Sequence, residues 1–316
     1  MTLREWLHWG EAQLSAGPHA EKARLDAEFL LLHQLGKNRA WLIAHGSEEF
    51  GGCGSIGYAA LIERRRTGEP VQYIAGECEF YGLPFKVTPD VLIPRSETEL
   101  LVERACQLIP TFDNRPNRTF GFRVTHTYSH RDPQEPRSSY PQSAGWPPRV
   151  LDIGTGSGAV AIAIAHDWSK AAITSIDVSP QALAIARANA RELGFADQIR
   201  FLEGDLLTPV AGERFELIVS NPPYVPEADR PTLSVEVRDY EPSLALFAGA
   251  DGLDVYRRLI PAAFDALAEG GRLLMEIGYG QREAIAELMR EAGFEAIEFR
   301  PDLNGIPRVA EGRRAG

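Results

Sequence analysis

The chain has 316 residues, of which 44% are apolar and 24% charged, an ordinary composition for a globular protein with room for two domains. Its apolar runs end before the roughly 18 residues that a membrane-spanning helix needs, and no secretory signal pattern is present, so we expect a cytoplasmic protein without a membrane partner. The net charge is −11, and residues 150–316 carry 16 basic and 26 acidic side chains, which disfavours a direct nucleic-acid partner.

The three cysteines are Cys53, Cys78 and Cys106. They lie far apart and form no Cys-x-x-Cys pair, so the sequence predicts neither a disulfide framework nor a zinc site. We expect reduced thiols.

Residues 1–70 are predicted to form a helical bundle, because apolar side chains recur at helical spacing between glycine and proline breaks. Residues 48–57 are rich in glycine and predict a connection before the last helix of the bundle. That helix ends in Arg64, Arg65 and Arg66, which predict a solvated last turn because cations suit the carboxyl end of a helix.

Residues 71–110 are predicted to link the bundle to a second domain. Apolar and polar positions alternate over residues 71–92 around a Gly-Leu-Pro turn, which predicts strands in a hairpin. The following helix has Ser96 as its predicted N-cap, with Glu99 three residues later completing a capping box.

Residues 111–149 contain six prolines, no leucine and no isoleucine. Such a segment buries too little apolar surface to offset the entropy of ordering, so we predict a mobile insertion. Its His126 and His130 lack the helical or cysteine context of a metal site, and we predict no bound metal.

From residue 150 onward, short apolar runs alternate with helical patterns. This alternation predicts an α/β domain, a Rossmann-like, mostly parallel sheet with helices on both faces. Ligands of such sheets bind at the carboxyl ends of the strands, so the loops at those ends are the candidate functional segments.

The loop after the first of these strands contains Gly154, Gly156 and Gly158. The glycines allow a tight turn and a close approach to a ligand at a helix start. Asp152, two residues before the loop, suits a cationic amino-acid end better than a pyrophosphate. The spacing also fits the looser dinucleotide-binding pattern, so an NAD(P)-dependent oxidoreductase remains an alternative.

Two further strands end in carboxylates. Asp177 ends the second strand, where a carboxylate can accept hydrogen bonds from both hydroxyls of a ribose. Asp205 ends the third strand, where it can accept from an adenine amino group while Leu206 packs on the ring. Together these positions predict a nucleoside ligand.

The fourth strand is followed by Asn221, Pro222, Pro223 and Tyr224. Proline fixes φ and removes an N–H, so the backbone carbonyls stay available on a stiff frame, and Asn221 adds a side-chain carbonyl. With the flat ring of Tyr224, this set suits the holding of a planar NH2 group with its nitrogen facing an electrophile. We predict Asn221, Pro222 and Tyr224 as the catalytic residues.

Taken in order, these loops resemble the class I S-adenosylmethionine-dependent methyltransferases. Within them the chain resembles the HemK/PrmC family, which methylates the glutamine amide of the GGQ motif in peptide chain release factors. The resemblance spans nearly the whole chain and rests on ARLDAEFLLLHQLGKNRAWLIAH, EPVQYIAGECEFYGLPFKVTPDVLIPRSETELLVE, DIGTGSGAVAIAIA, IDVSPQALAIARANA, NPPYVP, EPSLALFAGADGLDVYRRL, GGRLLMEIGYGQ and DLNGIPRV.

The resemblance implies an enzyme with S-adenosyl-L-methionine as cofactor and a release factor as partner, bound through residues 1–70, with residues 150–316 as the methyltransferase domain. It implies cofactor-binding roles for Gly154, Thr155, Gly156, Ser157, Gly158, Asp177, Asp205, Leu206 and Asn221. It implies substrate-binding roles for Asn221, Pro222, Pro223 and Tyr224. The insertion at 111–149 and the glycine cluster at 51–57 depart from the family pattern without touching a motif.

Three other functions share parts of this pattern. A ribosomal-protein glutamine methyltransferase shares the motifs. An adenine-N6 nucleic-acid methyltransferase uses the same Asn-Pro-Pro-Tyr segment, residues 221–224 here and called the hook below, to hold the amino group of a flipped base. A cofactor-binding module without catalysis could also act on a translation partner through the helical bundle.

Overall fold

The computed structural model describes residues 1–112 and 147–316. The predictions of a mobile insertion and of no metal at His126 and His130 fall mainly on residues 113–146, which lie outside the described residues.

The first helices pack around one apolar core, which confirms the predicted helical bundle. They are α1 (Leu3–Leu14), α2 (Ala23–Leu35), α3 (Arg39–His45) and α4 (Gly52–Arg66). Tyr58 lies fully buried at the centre, and its hydroxyl donates to the Ala27 carbonyl at 3.1 Å. A Cβ on Gly10 would lie 2.1 Å from the Tyr58 hydroxyl oxygen, so the absence of a side chain there lets α1 approach α4.

Two predictions for the end of this bundle are only partly right. Arg64 and Arg66 are solvent-exposed as predicted, but Arg65 is not. The connection predicted over 48–57 is shorter, because α4 begins at Gly52 and packing against α1 and α2 outweighs the low helix propensity of glycine. Arg65 is 2% exposed rather than solvated. It faces Asp26 of α2 and Glu236 of the second domain, and it forms an ion pair with each.

The linker contains the predicted hairpin after one unpredicted helical turn. This part of the chain comprises α5 (Val71–Ala75), β1 (Glu77–Phe80), β2 (Leu83–Lys86) and α6 (Glu99–Leu108), with β1 and β2 antiparallel. The capping box at Ser96 is absent, so that prediction is wrong. Ser96 begins a 3-10 turn, and the Glu99 carboxylate instead accepts the Tyr81 backbone N–H at 2.7 Å, which ties the helix to the hairpin.

The second domain contains a seven-stranded sheet in the order β5-β4-β3-β6-β7-β9-β8. Six strands run in one direction, five of them as adjacent parallel strands, and β9 alone runs antiparallel to both of its neighbours in this sheet. The strands are β3 (Arg149–Ile153), β4 (Ala172–Asp177), β5 (Ile199–Glu203), β6 (Phe215–Ser220), β7 (Leu267–Glu276), β8 (Glu295–Pro301) and β9 (Pro307–Arg313). The mostly parallel sheet was predicted, whereas β9 was not.

Helices cover both faces of this sheet, as predicted. They are α6, α7 (Ala159–Asp167), α8 (Pro180–Glu192), α11 (Asp254–Ala266) and α12 (Arg282–Glu291), while two short helices, α9 (Val235–Tyr240) and α10 (Ser243–Leu246), lie in the connection between β6 and α11. Successive side chains of β3 point to opposite faces, so Val150 joins the core beneath α6 and α7 while Leu151 joins the core beneath α11 and α12.

Within residues 1–112 and 147–316, no helix is both long enough and apolar enough to cross a membrane. The same ranges contain no cluster of three or more His, Cys, Asp and Glu side chains that could hold a metal ion. Cys53, Cys78 and Cys106 carry free thiols, as predicted.

Candidate active site

The loops selected from the sequence meet at the carboxyl edge of the parallel strands, around a cavity of about 320 Å³. Ten of the predicted residues line it: Gly154, Thr155, Gly156, Ser157, Asp177, Asp205, Leu206, Asn221, Pro222 and Pro223. Gly158 and Tyr224 are not among the described residues that line it. The linker contributes a further wall that includes Arg95 and Thr98.

The glycine loop is held against the neighbouring strand and helix. The backbone N–H groups of Gly154 and Thr155 donate to the Ile176 carbonyl at 2.9 and 3.1 Å. Gly158 has a φ of 84° and precedes α7, and a Cβ there would lie 3.2 Å from the Ala186 Cβ of α8. Gly158 therefore serves the turn and the packing rather than the cavity wall.

Asn189 of α8 supports the same loop and was missed in the sequence. Its side-chain Nδ2 donates to the Ser157 carbonyl at 2.8 Å, and its Oδ1 accepts the Lys86 N–H of β2 at 2.8 Å. One buried amide thus ties the hairpin to the loop. The available signal was a polar residue on the apolar face of a predicted helix.

Asp152 lies beneath the loop and is 1% exposed. Its Oδ2 accepts the Thr155 hydroxyl at 2.6 Å. Burial raises the pKa of Asp152 to about 7, opposed by the Thr155 hydrogen bond and assisted by the charge of Asp177. Within the described residues Asp152 forms no ion pair with a basic side chain, so a cationic group bound nearby would favour its ionised form.

Asp177 shapes the loop as well as lining the cavity. Its two carboxylate oxygens accept backbone N–H groups, from Gly156 at 2.8 Å and from Ser179 at 2.9 Å. Burial raises the pKa of Asp177, and these hydrogen bonds oppose the shift. Carboxylate oxygens have further lone pairs, so the group can still accept hydroxyls from a ligand.

Asp205 forms an ion pair with Arg258 of α11, a partner that the sequence analysis missed. Both side chains line the cavity and are solvent-exposed. Leu206 beside them has a φ of 50°, uncommon for a residue with a side chain, and packs partly against the apolar core. The third loop therefore offers an apolar surface next to a charged pair.

Behind Asn221 stands a chain of hydrogen bonds that was also missed. The Asn221 Nδ2 donates to the Thr98 hydroxyl oxygen at 3.0 Å, and that hydroxyl donates to Glu276 Oε2 at 2.7 Å. The Tyr224 hydroxyl donates to the other oxygen of Glu276 at 3.3 Å. Thr98 and Glu276 are 4% and 2% exposed, so their hydrogen bond is shielded from bulk water.

Tyr224 is held by hydrogen bonds of its backbone as well as its hydroxyl. Its N–H donates to the Leu246 carbonyl at 3.2 Å, and its own carbonyl accepts the Gln281 side-chain amide at 2.9 Å. Burial raises the pKa of its phenol well above the usual range, with the nearby Glu276 adding to the shift. The ring therefore acts as a neutral, rigid group beside the cavity.

Two family models match the chain, the PrmC N-terminal domain over residues 5–76 and the methyltransferase small domain over residues 143–236. Several curated proteins named release factor glutamine methyltransferase are similar over nearly its whole length. The protein from Geobacter sulfurreducens is 39% identical, with 99% of this chain and 96% of the relative covered. The protein from Deinococcus radiodurans is 38% identical, with 100% of both chains covered.

The chain belongs to the release factor glutamine methyltransferase family. The predicted resemblance is thereby confirmed. A methyltransferase family accounts for the hook at Asn221, which the oxidoreductase alternative left without a role.

A solved structure titled "Crystal structure of hMettl16 catalytic domain in complex with MAT2A 3'UTR hairpin 6" is similar in fold. It has a TM-score of 0.53 and 13% sequence identity, and the match covers 83% of this chain and 82% of that chain. The predicted class I methyltransferase fold of this family member is confirmed.

Proposed function

We propose that this chain transfers a methyl group from S-adenosyl-L-methionine to the side-chain amide nitrogen of the GGQ glutamine in peptide chain release factors. One observation carries the proposal: a single cavity is lined by the glycine loop, by Asp177 and by Asn221-Pro222. A cofactor site and an amide-holding hook therefore share one space. The curated relatives named above support the choice of substrate.

The residues present fit the cofactor. The cavity of about 320 Å³ lies at the start of α7. Asp152 does not line it, but this buried carboxylate lies beneath the glycine loop and has no basic partner among the described residues, which suits an ammonium group bound above the loop. Residues Gly154 to Ser157 would hold the methionine end, Asp177 the ribose, and Asp205 with Leu206 the adenine. When bound, S-adenosyl-L-methionine supplies an electrophilic methyl group on a sulfonium.

The protein's own contribution is to orient the substrate amide. An amide nitrogen is a poor nucleophile because its lone pair is delocalised into the carbonyl. If its two hydrogens bond to the Asn221 side-chain oxygen and the Pro222 backbone oxygen, the nitrogen faces the methyl donor and its developing positive charge is stabilised. The rigid ring of Tyr224 would flank the amide plane. Once methylated, the nitrogen bears the positive charge and releases one of its two hydrogens to water. This loss is easy because an amide protonated on nitrogen is a strong acid, so the scheme needs neither a metal nor a strong base.

The helical bundle would bind the protein substrate. The bundle exposes large apolar side chains at Leu25, Phe29, Ile43 and Ile56, the most exposed being Ile43 at 74%. Exposed apolar side chains of this size are typical of protein-binding surfaces when they form a patch. A substrate that acts in translation would place the enzyme in the cytoplasm.

Substitution of Asn221 tests the proposal directly. We expect Asn221→Ala to lower methyl transfer by about 100-fold or more, because one acceptor for the substrate amide is lost. The affinity for S-adenosyl-L-methionine should change little. Transfer is measured as one added methyl on the GGQ peptide by mass spectrometry, and cofactor binding by calorimetry.

The matched control is Gln107→Ala, which removes an exposed side-chain amide on α6 that does not line the cavity and should leave both readings unchanged. Full transfer by Asn221→Ala would refute the proposed role. Offering a ribosomal protein or a nucleic acid in place of the release factor tests the other acceptors in the same assay.

A further inference from the structure

The hydrogen-bond chain behind Asn221 joins three segments that are distant in sequence. Thr98 ends the 3-10 turn Ser96–Thr98 of the linker, Asn221 follows β6, and Glu276 ends β7. The backbone carbonyl of Glu276 also accepts the Tyr256 hydroxyl at 2.7 Å, which holds the end of β7 in place. These contacts make the network a rigid support for the hook.

The network has a direction. An ionised Glu276 can only accept, so the Thr98 hydroxyl, which has one hydrogen, donates it to Glu276 Oε2 at 2.7 Å. Towards Asn221 the same oxygen can only accept, so the amide group facing it at 3.0 Å must be the NH2 end. The direction of hydrogen bonding, and not the shape of the side chain, therefore decides which end of the amide faces Thr98.

The other end of Asn221 then faces away from Thr98, and the residue lines the cavity. Within residues 1–112 and 147–316, no donor reaches the Asn221 Oδ1. In the reversed orientation an NH2 group would face the NH2 of the substrate, and two donors would oppose each other. The orientation of the Asn221 side-chain amide therefore decides whether it accepts a hydrogen bond from the substrate NH2 group or repels that group.

We propose that Thr98 and Glu276 are positioning residues that hold Asn221 with its Oδ1 available to the substrate amide. The inference rests on the proposed function, because it specifies how the hook obtains its acceptor. Neither residue needs to touch the reacting atoms. Glu276 sets the direction of the Thr98 hydroxyl, and Thr98 sets the direction of the Asn221 amide.

The test compares substitutions at Thr98 that keep or remove the hydroxyl. Thr98→Val keeps the branched shape without the hydroxyl, and we expect kcat to fall about 10- to 100-fold. The KM for the release factor and the Kd for S-adenosyl-L-methionine should stay within about twofold, because Val keeps the size and branched shape of the one residue of the cavity wall that changes. Thr98→Ser retains the hydroxyl and should recover most of the wild-type kcat.

A matched control is Thr174→Val, which removes the hydroxyl of another buried threonine, on β4, that does not line the cavity. It should leave kcat unchanged, whatever its effect on thermal stability. If Thr98→Val fails to fold, Thr98→Ala removes the hydroxyl without adding bulk and gives the same comparison with Thr98→Ser.

The outcomes are distinct. Full kcat in the variant without the hydroxyl, or equal losses in that variant and in Thr98→Ser, would overturn the positioning role. No transfer to the GGQ glutamine by the wild-type enzyme would instead overturn the proposed function. Transfer by the wild type, loss in Thr98→Val and recovery in Thr98→Ser are the results that support the inference.

Discussion

Asp152 is a buried carboxyl group beneath the glycine loop, and its pKa differs strongly from the usual value. Its ordinary pKa of 3.8 is raised to about 7 by burial. Because the native state holds this proton more tightly than the unfolded chain, Asp152 stabilises the cofactor-free protein at low pH. That contribution is lost as the pH rises from about 4 to about 7, and it changes little above that range.

The affinity for S-adenosyl-L-methionine should depend on the protonation of Asp152. The ionised form of Asp152 attracts a cationic ammonium, so the affinity for S-adenosyl-L-methionine should rise as the pH increases through about 7. The Asp152→Asn variant should bind more weakly and with a flatter pH profile. Calorimetric titration at several pH values from about 5.5 to 8.5 measures both.

Asp177 and Glu276 also have raised pKa values, so the wild-type profile alone does not isolate Asp152. The contribution of Asp152 is isolated by subtracting the pH profile of Asp152→Asn from that of the wild type. A pH dependence that is identical in the two proteins would contradict the role given to this carboxyl.

At the scale of elements, the close approach of α8 to Gly158 limits which residue can end the glycine loop. Gly158 has a φ of 84°, and a Cβ there would meet the Ala186 Cα of α8 at 3.3 Å, a backbone atom that cannot move away by changing rotamer. Gly194, after α8, has nearly the same φ of 85° but open space around it. Replacing Gly194 therefore costs only the strain of a left-handed backbone, whereas replacing Gly158 adds a steric clash with α8.

We expect Gly158→Ala to lower the free energy of unfolding by about 2 to 4 kcal/mol, from a left-handed residue plus overpacking. Gly194→Ala should cost about 1 to 2 kcal/mol, from conformation alone. Urea denaturation measures both values. Equal losses would show that the helix contact at Gly158 has no energetic weight.

At the scale of the whole molecule, a buried arginine joins the helical bundle to the catalytic domain. The Arg65 Nε donates to Asp26 Oδ2 at 2.6 Å, and its Nη1 donates to Glu236 Oε2 at 3.0 Å. Lys22 pairs with the same Glu236 at 3.1 Å, and the Thr67 carbonyl accepts the Tyr240 hydroxyl at 3.2 Å. The junction is polar, so its strength depends on complete pairing.

Removing the arginine should leave the buried Asp26 without its partner. We expect Arg65→Met to lower the free energy of unfolding by about 3 to 5 kcal/mol and to raise the KM for the release factor, because the bundle is no longer held in one orientation. Arg66→Met, which breaks an exposed pair with Glu63, should cost at most about 1 kcal/mol. Comparable losses in the two variants, measured by urea denaturation, would exclude the junction as a stabilising contact.

Much of the fold could be predicted because its signals are local. The alternation of strands and helices after residue 150 and the glycines at 154, 156 and 158 can each be seen in a window of a few residues. The predictions that failed concern features that depend on contacts between distant segments. The glycine-rich start of α4 and the burial of Arg65 depend on packing against segments far along the chain, and the predicted capping box lost Glu99 to the Tyr81 backbone.

The sequence by itself determined which residues lie at the carboxyl ends of the strands, since backbone period and loop chemistry are properties of neighbouring residues. It also indicated the family, through several motifs in the order typical of that family. Only the tertiary structure decided what stands behind those residues. Asn221 meets a threonine 123 positions earlier, and that threonine meets Glu276, 178 positions later. The direction of a hydrogen bond depends on both partners, and partners so distant come together only when the sheet has formed.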